Sequence, residues 1–227
     1  MIRVSFEKEL KRLTDEVILL GTMAKEAILE SVQALKKRDM QKSKELIAND
    51  QQINKKRYAI EADTLVLIAT QQPMASDLRT LAAILEISTE LERIGDYAKG
   101  ISKINLMIGD EPLIKPLIDI PRMADIALDM LDQSIKAFQN RDVELARAIP
   151  NRDDEVDALY DQVYRELLTI IMGDPKTIDQ ANYLLWAAHN LERTADRVSN
   201  ICERVIFTVT GEVVEMDVED SGLEGIG

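Results

Sequence analysis

Paired carboxylates recur at a fixed distance along this chain. The pattern Leu-Glu-Arg-x-x-Asp occurs twice, with Glu92 and Asp96 in the first copy and Glu192 and Asp196 in the second, 100 positions later. On a helix, residues four apart share one face, so each pair brings two like charges together at a cost of roughly 0.2–0.5 kcal/mol. Repetition of this arrangement indicates a cation beside each pair, either a metal ion or a basic side chain.

Other oxygen-bearing side chains share this spacing on the helices predicted to precede the two motifs. They are Asp50 and Asn54 in the first half of the chain, and Asp153, Asp157 and Asp161 in the second. A cluster of oxygen ligands suits Mg²⁺, Mn²⁺, Ca²⁺ or iron. The alternative is a solvated acidic face paired with Arg93, Arg193 and Arg197. His189, three residues before Glu192, is a candidate nitrogen ligand, although an ordinary surface or packed histidine is favoured.

Helical periodicity covers almost the whole chain, and breakers divide it into two similar halves. The pattern predicts an all-α fold of six long helices in two tandem repeats, each an antiparallel three-helix bundle. We expect these repeats over residues 1–110 and 117–211, related by a pseudo-twofold axis or a translation near the proline-containing linker. An acidic, poorly ordered tail over 212–227 follows. The predicted helices span about 6–37, 39–71, 74–108, 121–139, 143–171 and 176–210.

Composition narrows the classes of function. The net charge of −13 argues against nucleic-acid binding, and the single cysteine, Cys202, excludes a disulfide framework and favours a cytoplasmic location. Leu91 and Ile94 belong to the apolar stripe, or seam, of the third predicted helix. Glu92 and Asp96 then lie on the side of the helix that faces away from this seam. We therefore expect exposed carboxylates without a catalytic pocket, and no enzyme. A metal-dependent enzyme and a purely structural bundle are the alternatives.

Three segments together resemble the PhoU family of phosphate-signalling regulators. They are the stretch QQPMASDLR over residues 71–79, the duplicated Leu-Glu-Arg-x-x-Asp motif, and the closing segment VIFTVTG over residues 205–211. The resemblance extends from about residue 6 to residue 211 and implies six helices in two repeats. It also implies a non-enzymatic adaptor that represses the phosphate regulon when phosphate is plentiful.

The resemblance further implies cofactors and partners. The cofactors are divalent or trivalent metal ions in clusters, some multinuclear, with iron first and manganese, magnesium or zinc as alternatives. The motif falls on Glu92 with Asp96, Glu192 with Asp196, and Asp153 with Asp157. Implied partners are the ATPase subunit of a phosphate ABC transporter and a sensor histidine kinase, through which the protein is peripheral to the membrane. A homodimer is expected on the same grounds.

The two candidate sites differ in their ligands. Asn54 stands in the first repeat where the second has an acid, and Lys99 and Lys103 add positive charge beside the first motif. Five carboxylates are available in the second repeat and three in the first. We therefore expect the second repeat to bind more metal, and to bind it more tightly.

Overall fold

The described part of the chain, residues 2–216, folds into seven α-helices, six of which are long. The computed structural model describes residues 2–216, and all regular structure within them is helical. Two 3₁₀ turns, Pro150–Arg152 and Pro175–Thr177, join neighbouring helices in the second half. The α-helices are α1 (Ile2–Lys37), α2 (Met40–Gln71), α3 (Ala75–Ile108), α4 (Asp119–Asn140), α5 (Val143–Ala148), α6 (Asp153–Gly173) and α7 (Ile178–Thr210).

The first turn of each repeat is built in the same way. Arg38 and Arg141 adopt left-handed backbone conformations, with φ of 59° and 55°. The following aspartates cap the next helix: Asp39 accepts a hydrogen bond from the amide of Lys42, and Asp142 from that of Leu145. Such caps satisfy amide groups that have no partner within the helix. The structure thus confirms the predicted duplication and the all-α class, with α1–α3 in one repeat and α4–α7 in the other.

The second repeat departs from the predicted helix over 143–171. The structure divides this segment into α5, a 3₁₀ turn and α6, and the break begins at Pro150. Proline lacks an amide hydrogen and its ring clashes with the preceding turn of a helix, so it ends α5. The acidic first turn of α6 then begins at Asp153, where negative charge is favourable at a helix N-terminus.

The third helices of the two repeats, α3 and α7, pack against each other along their length in opposite directions. Arg204 Nη1 lies 2.9 Å from Glu86 Oε2, and Arg197 Nη1 lies 3.3 Å from Glu90 Oε2. The contacts thus move toward the start of α7 as they move toward the end of α3, so the two helices are antiparallel. Both Arg197 and Glu90 are largely buried in this contact, which makes it an internal part of the fold.

This antiparallel contact carries a pseudo-twofold axis. Glu90 accepts a hydrogen bond from Asn200 at 3.2 Å, and a Cβ added at Gly100 would lie 3.1 Å from Asn190 Nδ2. Position 90 of the first repeat is equivalent to position 190 of the second, and position 100 is equivalent to position 200. The contact between 90 and 200 is therefore repeated, with the two repeats interchanged, as the contact between 190 and 100. The axis therefore passes near positions 95 and 195, and the expectation that it lies near the linker was wrong.

The hydrophobic core is continuous across both repeats. The predicted seam of α3 is buried throughout, and it joins buried residues of every other long helix in one cluster. Among the described residues, α2 packs on α1 and α3, whereas α6 packs on α4, α7 and the 3₁₀ turns. Each outer helix therefore borders a helix that carries a carboxylate motif. The division into 1–110, 117–211 and 212–227 stays a prediction.

Hydrogen bonds hold both irregular ends of the second repeat. Gln180 accepts from the amide of Ile114 at 2.6 Å and donates to the carbonyl of Pro112 at 3.1 Å, which ties the linker to α7. The buried carboxylate of Glu203 accepts from the amide of Met216 at 2.8 Å. Residues 212–216 of the predicted tail therefore return to the bundle, while 217–227 lie outside the described residues. Within residues 2–216, no helix has the length and apolar character of a membrane span.

A fully buried asparagine joins the first turn to α3. The Asn105 amide nitrogen donates to the carbonyls of Ala34 and Asp39 and to the Ser43 hydroxyl, at 3.2, 3.1 and 2.8 Å. Its side-chain oxygen accepts from Arg38. Buried polar groups of this kind are costly to leave without partners.

We expect Asn105→Leu to lower the free energy of unfolding by about 2–3 kcal/mol, because the polar groups of the turn lose their buried partner. Urea denaturation measures the change. Met107→Leu on the same helix is the control: Met107 is half-exposed, so the expected change is below about 0.5 kcal/mol. Equal changes for the two variants would contradict this role of Asn105.

Candidate carboxylate site

In the first repeat, the site lies between α2 and α3 and already contains a cation. Lys99 Nζ donates to Asp50 Oδ2 at 2.6 Å and lies 3.4 Å from Asp96 Oδ1. Asn54 also contributes a hydrogen bond to Asp50 Oδ2, at 3.4 Å. The hydrogen bond to Asp50 raises the pKa of Lys99. The amine is therefore a stable ammonium, and two of the predicted metal ligands are paired with it.

Glu92 lies in the same face, one turn before Asp96, and a second cation is close to it. Burial raises the pKa of Glu92, and the charges of Asp96 and Asp50 raise it further, whereas Arg57 opposes the rise. Arg57 itself is held on α2 by an ion pair with Glu61 at 2.8 Å. The first face thus combines three carboxylates with the side chains of Lys99 and Arg57.

In the second repeat, the site lies between α6 and α7 and has a different charge balance. His189 Nδ1 lies 3.0 Å from Glu192 Oε2, and Arg193 Nη1 lies 3.5 Å from Asp196 Oδ2. Burial raises the pKa of Glu192, with further contributions from Asp196 and Asp157, against the lowering effects of His189 and Arg193. The carboxylates of α6 and α7 are therefore close enough to repel one another.

A tyrosine completes the contact between α6 and α7. The rings of Tyr160 and His189 lie 6.1 Å apart between centroids. Burial raises the pKa of Tyr160, and the charges of Glu192 and Asp161 add to this effect. Asp153 is partly buried one turn before Asp157, while Asp157 and Asp161 are exposed. The structure therefore brings Asp157 to the motif of α7 and leaves Asp161 beside Tyr160.

The predicted residues are less uniformly exposed than the sequence suggested. Asp96 is half-exposed, at 50% of its side chain, but the Glu192 and Asp196 side chains are only 24% and 22% exposed and that of Asp50 is 3% exposed. The motif residues lie outside the apolar core, as expected. Packing of the outer helices partly covers Glu192 and Asp196 but leaves Asp96 half-exposed, which a helical pattern read along one segment does not reveal.

The two faces differ in how well their donor atoms suit a metal ion. Within residues 2–216, no three histidine, cysteine or carboxylate side chains converge closely enough to hold a metal as they stand. The α6–α7 face nevertheless offers repelling hard-oxygen donors, the kind that divalent cations neutralise. In the first face, the ammonium of Lys99 lies where a metal would contact Asp50 and Asp96. The second face fits a metal in its donor set, and the first does not.

Sequence reasoning missed Arg57 and Tyr160, although a signal for both was present. Asp50 and Asp153 are equivalent positions 103 residues apart, and the same offset pairs Arg57 with Tyr160. Comparison of the two repeats at every position of the outer helices, and not at the acids alone, would have identified this pair.

Comparison with known proteins decides the family. The PhoU domain matches this chain twice, over residues 17–104 and 120–205. The chain belongs to the PhoU family. Among its relatives, the PhoU homolog of Caulobacter vibrioides (strain NA1000 / CB15N), a phosphate-specific transport system accessory protein, is 38% identical over 92% of this chain and 91% of its own. The homolog of Clostridium acetobutylicum, described in the same words, is 34% identical over 96% and 100% of the two chains.

Solved PhoU structures have the same fold. The crystal structure of the phosphate transport system regulatory protein PhoU from Streptococcus pneumoniae superposes with a TM-score of 0.86 at 31% identity, covering 93% of this chain and all of that one. PhoU from Pseudomonas aeruginosa gives a TM-score of 0.85 at 30% identity, over 91% of this chain and 100% of that one. The two PhoU domains thus correspond to the two repeats, and the arrangement of six long helices is shared.

The raised pKa of Glu192 predicts the sign of a pH effect on stability. A carboxylate whose pKa is higher in the folded than in the unfolded protein destabilises the fold when charged, and this cost disappears as the pH falls below the unfolded value of about 4.3. We expect Glu192→Gln to raise the Tm of the metal-free protein at about pH 7. The gain should shrink as the pH approaches about 4.

Glu166→Gln is the matched control with the opposite sign. The ion pair with Lys115 lowers the pKa of Glu166, so its charged form stabilises the fold, and this contribution is lost as the pH falls through the folded pKa. This variant should lower the Tm near neutral pH. A lower Tm for Glu192→Gln as well, measured in EDTA, would contradict the inferred repulsion in the second site.

Proposed function

We propose that this protein is a regulator of phosphate transport that represses the phosphate regulon when phosphate is plentiful. Two PhoU domains in a chain that matches its relatives over nearly their full length support this role. Those relatives are described as accessory proteins of the phosphate-specific transport system. The proposed function is therefore control of a transport system and not transport itself.

The proposed mode of action is docking to protein partners. The partners are the ATPase subunit of a phosphate ABC transporter and the sensor histidine kinase of the regulon, both reached from the cytoplasm, and the protein acts as a homodimer. The net charge of −13 supports protein partners over nucleic acid, because a polyanion would be repelled. The protein would meet the membrane through these partners.

We further propose that the carboxylate face between α6 and α7 binds metal ions. The supporting observation is the crowding of Glu192 with Asp196 and Asp157, which adds to the effect of burial in raising the pKa of Glu192. A divalent or trivalent cation would relieve this repulsion, and iron, manganese, magnesium and zinc are the candidates. When bound, a metal would supply positive charge between the carboxylates of the two helices. Asp153 and Asp161 are the further candidate ligands on α6.

A regulatory role is favoured over an enzymatic one. The relatives are described as accessory and regulatory proteins. Catalysis by a metal also needs a positioned acid or base in a water-excluding cavity, whereas Asp96 and Asp157 reach solvent. Hydrolysis of a phosphate ester by the metal-loaded protein would favour the enzymatic alternative.

Deletion of the gene tests the proposed function. We expect higher expression of phosphate-uptake genes in phosphate-rich medium, because repression through the transporter and the kinase is lost. Transcript levels in the deletion strain and in a complemented strain measure the effect. Unchanged expression would contradict the regulatory role.

Metal content tests the proposed site. The variant Glu192→Gln with Asp196→Asn should lose more metal per chain than Glu92→Gln with Asp96→Asn, because the first face holds its own cations. Both variants replace charge with neutral groups of the same shape, so each controls for the other. Elemental analysis of untagged protein is the measurement, and equal losses would contradict the proposal.

A further inference from the structure

The two carboxylate faces differ at positions that are equivalent in the repeats. Lys99 of α3 corresponds to Ser199 of α7, and Arg57 of α2 corresponds to Tyr160 of α6. At both positions the first repeat has a cation where the second has a neutral side chain. The two repeats therefore share a backbone arrangement but differ in the charge of the side chains at these two positions.

The ammonium of Lys99 occupies the space between the outer helix and the motif. It lies 2.6 Å from Asp50 Oδ2 and 3.4 Å from Asp96 Oδ1. The Asp50 side chain is only 3% exposed and that of Lys99 is 28% exposed, so this ion pair is partly shielded from water and is screened by salt less than a surface pair. A charge-assisted hydrogen bond of this length is among the stronger ones in proteins. A metal that bridges Asp50 and Asp96 would have to displace it.

The guanidinium of Arg57 adds a second positive charge to the same face. Arg57 Nη2 donates weakly to Thr89 Oγ1 at 3.5 Å, and its ion pair with Glu61 holds it on α2. Thr89 lies one turn before Arg93 and nearly one turn before Glu92 on α3. Arg57 therefore extends from the outer helix toward the motif, as Tyr160 does in the second repeat, and its charge opposes part of the effect of burial on the pKa of Glu92.

Buried atoms of the first face indicate what would follow from removal of Lys99. Asp50 Oδ1 and Asn54 Oδ1 are buried and have no hydrogen-bond partner. Without the ammonium, the buried carboxylate of Asp50 and the side-chain oxygen of Asn54 would line the space beside Asp96. A buried carboxylate of this kind is stable in the interior only when it is protonated or paired with a cation.

We propose that Lys99, assisted by Arg57, is a built-in cation that closes the first repeat to metal ions. The inference rests on the proposed function in one respect, that the carboxylate faces of this fold bind metal at all. Its content is specific to this chain: one repeat has an internal cation, and metal binding is left to the other repeat.

The test uses the full-length protein with the second site disabled by Glu192→Gln and Asp196→Asn. Lys99→Ser and Arg57→Tyr are added to this background to reproduce the side chains of the second repeat. Mn²⁺ is the probe, with bound metal measured by equilibrium dialysis and the Tm measured with and without Mn²⁺. We expect the added substitutions to tighten Mn²⁺ binding by roughly tenfold or more, because two positive charges leave the site.

Lys103→Ser in the same background is the control. Lys103 is exposed one turn further along α3, so its removal takes away one positive charge, as does Lys99→Ser alone, the single variant with which it is compared, without opening the site. An equal gain of Mn²⁺ binding in this control would overturn the inference, since it would reflect net charge alone. No gain in the folded Lys99→Ser, Arg57→Tyr variant would also overturn it.

A second variant keeps the proposal testable if Lys99→Ser with Arg57→Tyr does not fold. Lys99→Gln removes the charge but keeps a donor for Asp50, and its helicity can be checked by circular dichroism before metal is added. It should also gain Mn²⁺ binding. The proposed metal site of the second repeat is tested separately, by comparing Mn²⁺ binding by the wild-type protein with binding by the variant whose second site is disabled. Equal binding by those two proteins would contradict the second-repeat site while leaving the test of Lys99 intact.

Discussion

The antiparallel packing of α3 against α7 is the interaction on which the rest of this structure depends. It joins two three-helix units into one hydrophobic core and sets the pseudo-twofold axis near positions 95 and 195. Glu90 crosses this contact to Arg197 and Asn200, and its side chain is only 13% exposed. Because α3 and α7 pack against each other on one side, their carboxylate motifs face the outer helices α2 and α6.

The duplicated scaffold gives two sites that are alike in backbone and unlike in charge. In the first, Asp50 has its cation in Lys99; in the second, Glu192 is crowded by Asp196 and Asp157, with His189 as its nearest nitrogen partner. A buried carboxylate that is already paired gains little from a metal, whereas crowded carboxylates gain a great deal. The two copies of one motif therefore have different charge balances.

Much of the fold could be predicted from the sequence, because its signals are local. Helical periodicity, the capping aspartates Asp39 and Asp142, and the duplicated motif each act within a few residues. The break at Pro150 was missed because the apolar pattern continues across it. The burial of Asp50, the role of Arg57 and the position of the axis depend on which helix faces which, and spacing along one helix does not contain that information. The larger number of acids expected in the second face follows from equivalence between the repeats and stays a prediction.

The most direct test of this account is anomalous diffraction from crystals of the full-length protein soaked in Mn²⁺. Data collected on both sides of the manganese absorption edge locate the metal without reference to any assumed ligand. The account predicts an anomalous peak beside Glu192 and Asp196, and none between Lys99, Asp50 and Asp96. Peaks of equal height at both faces, or a peak at the first face alone, would contradict it.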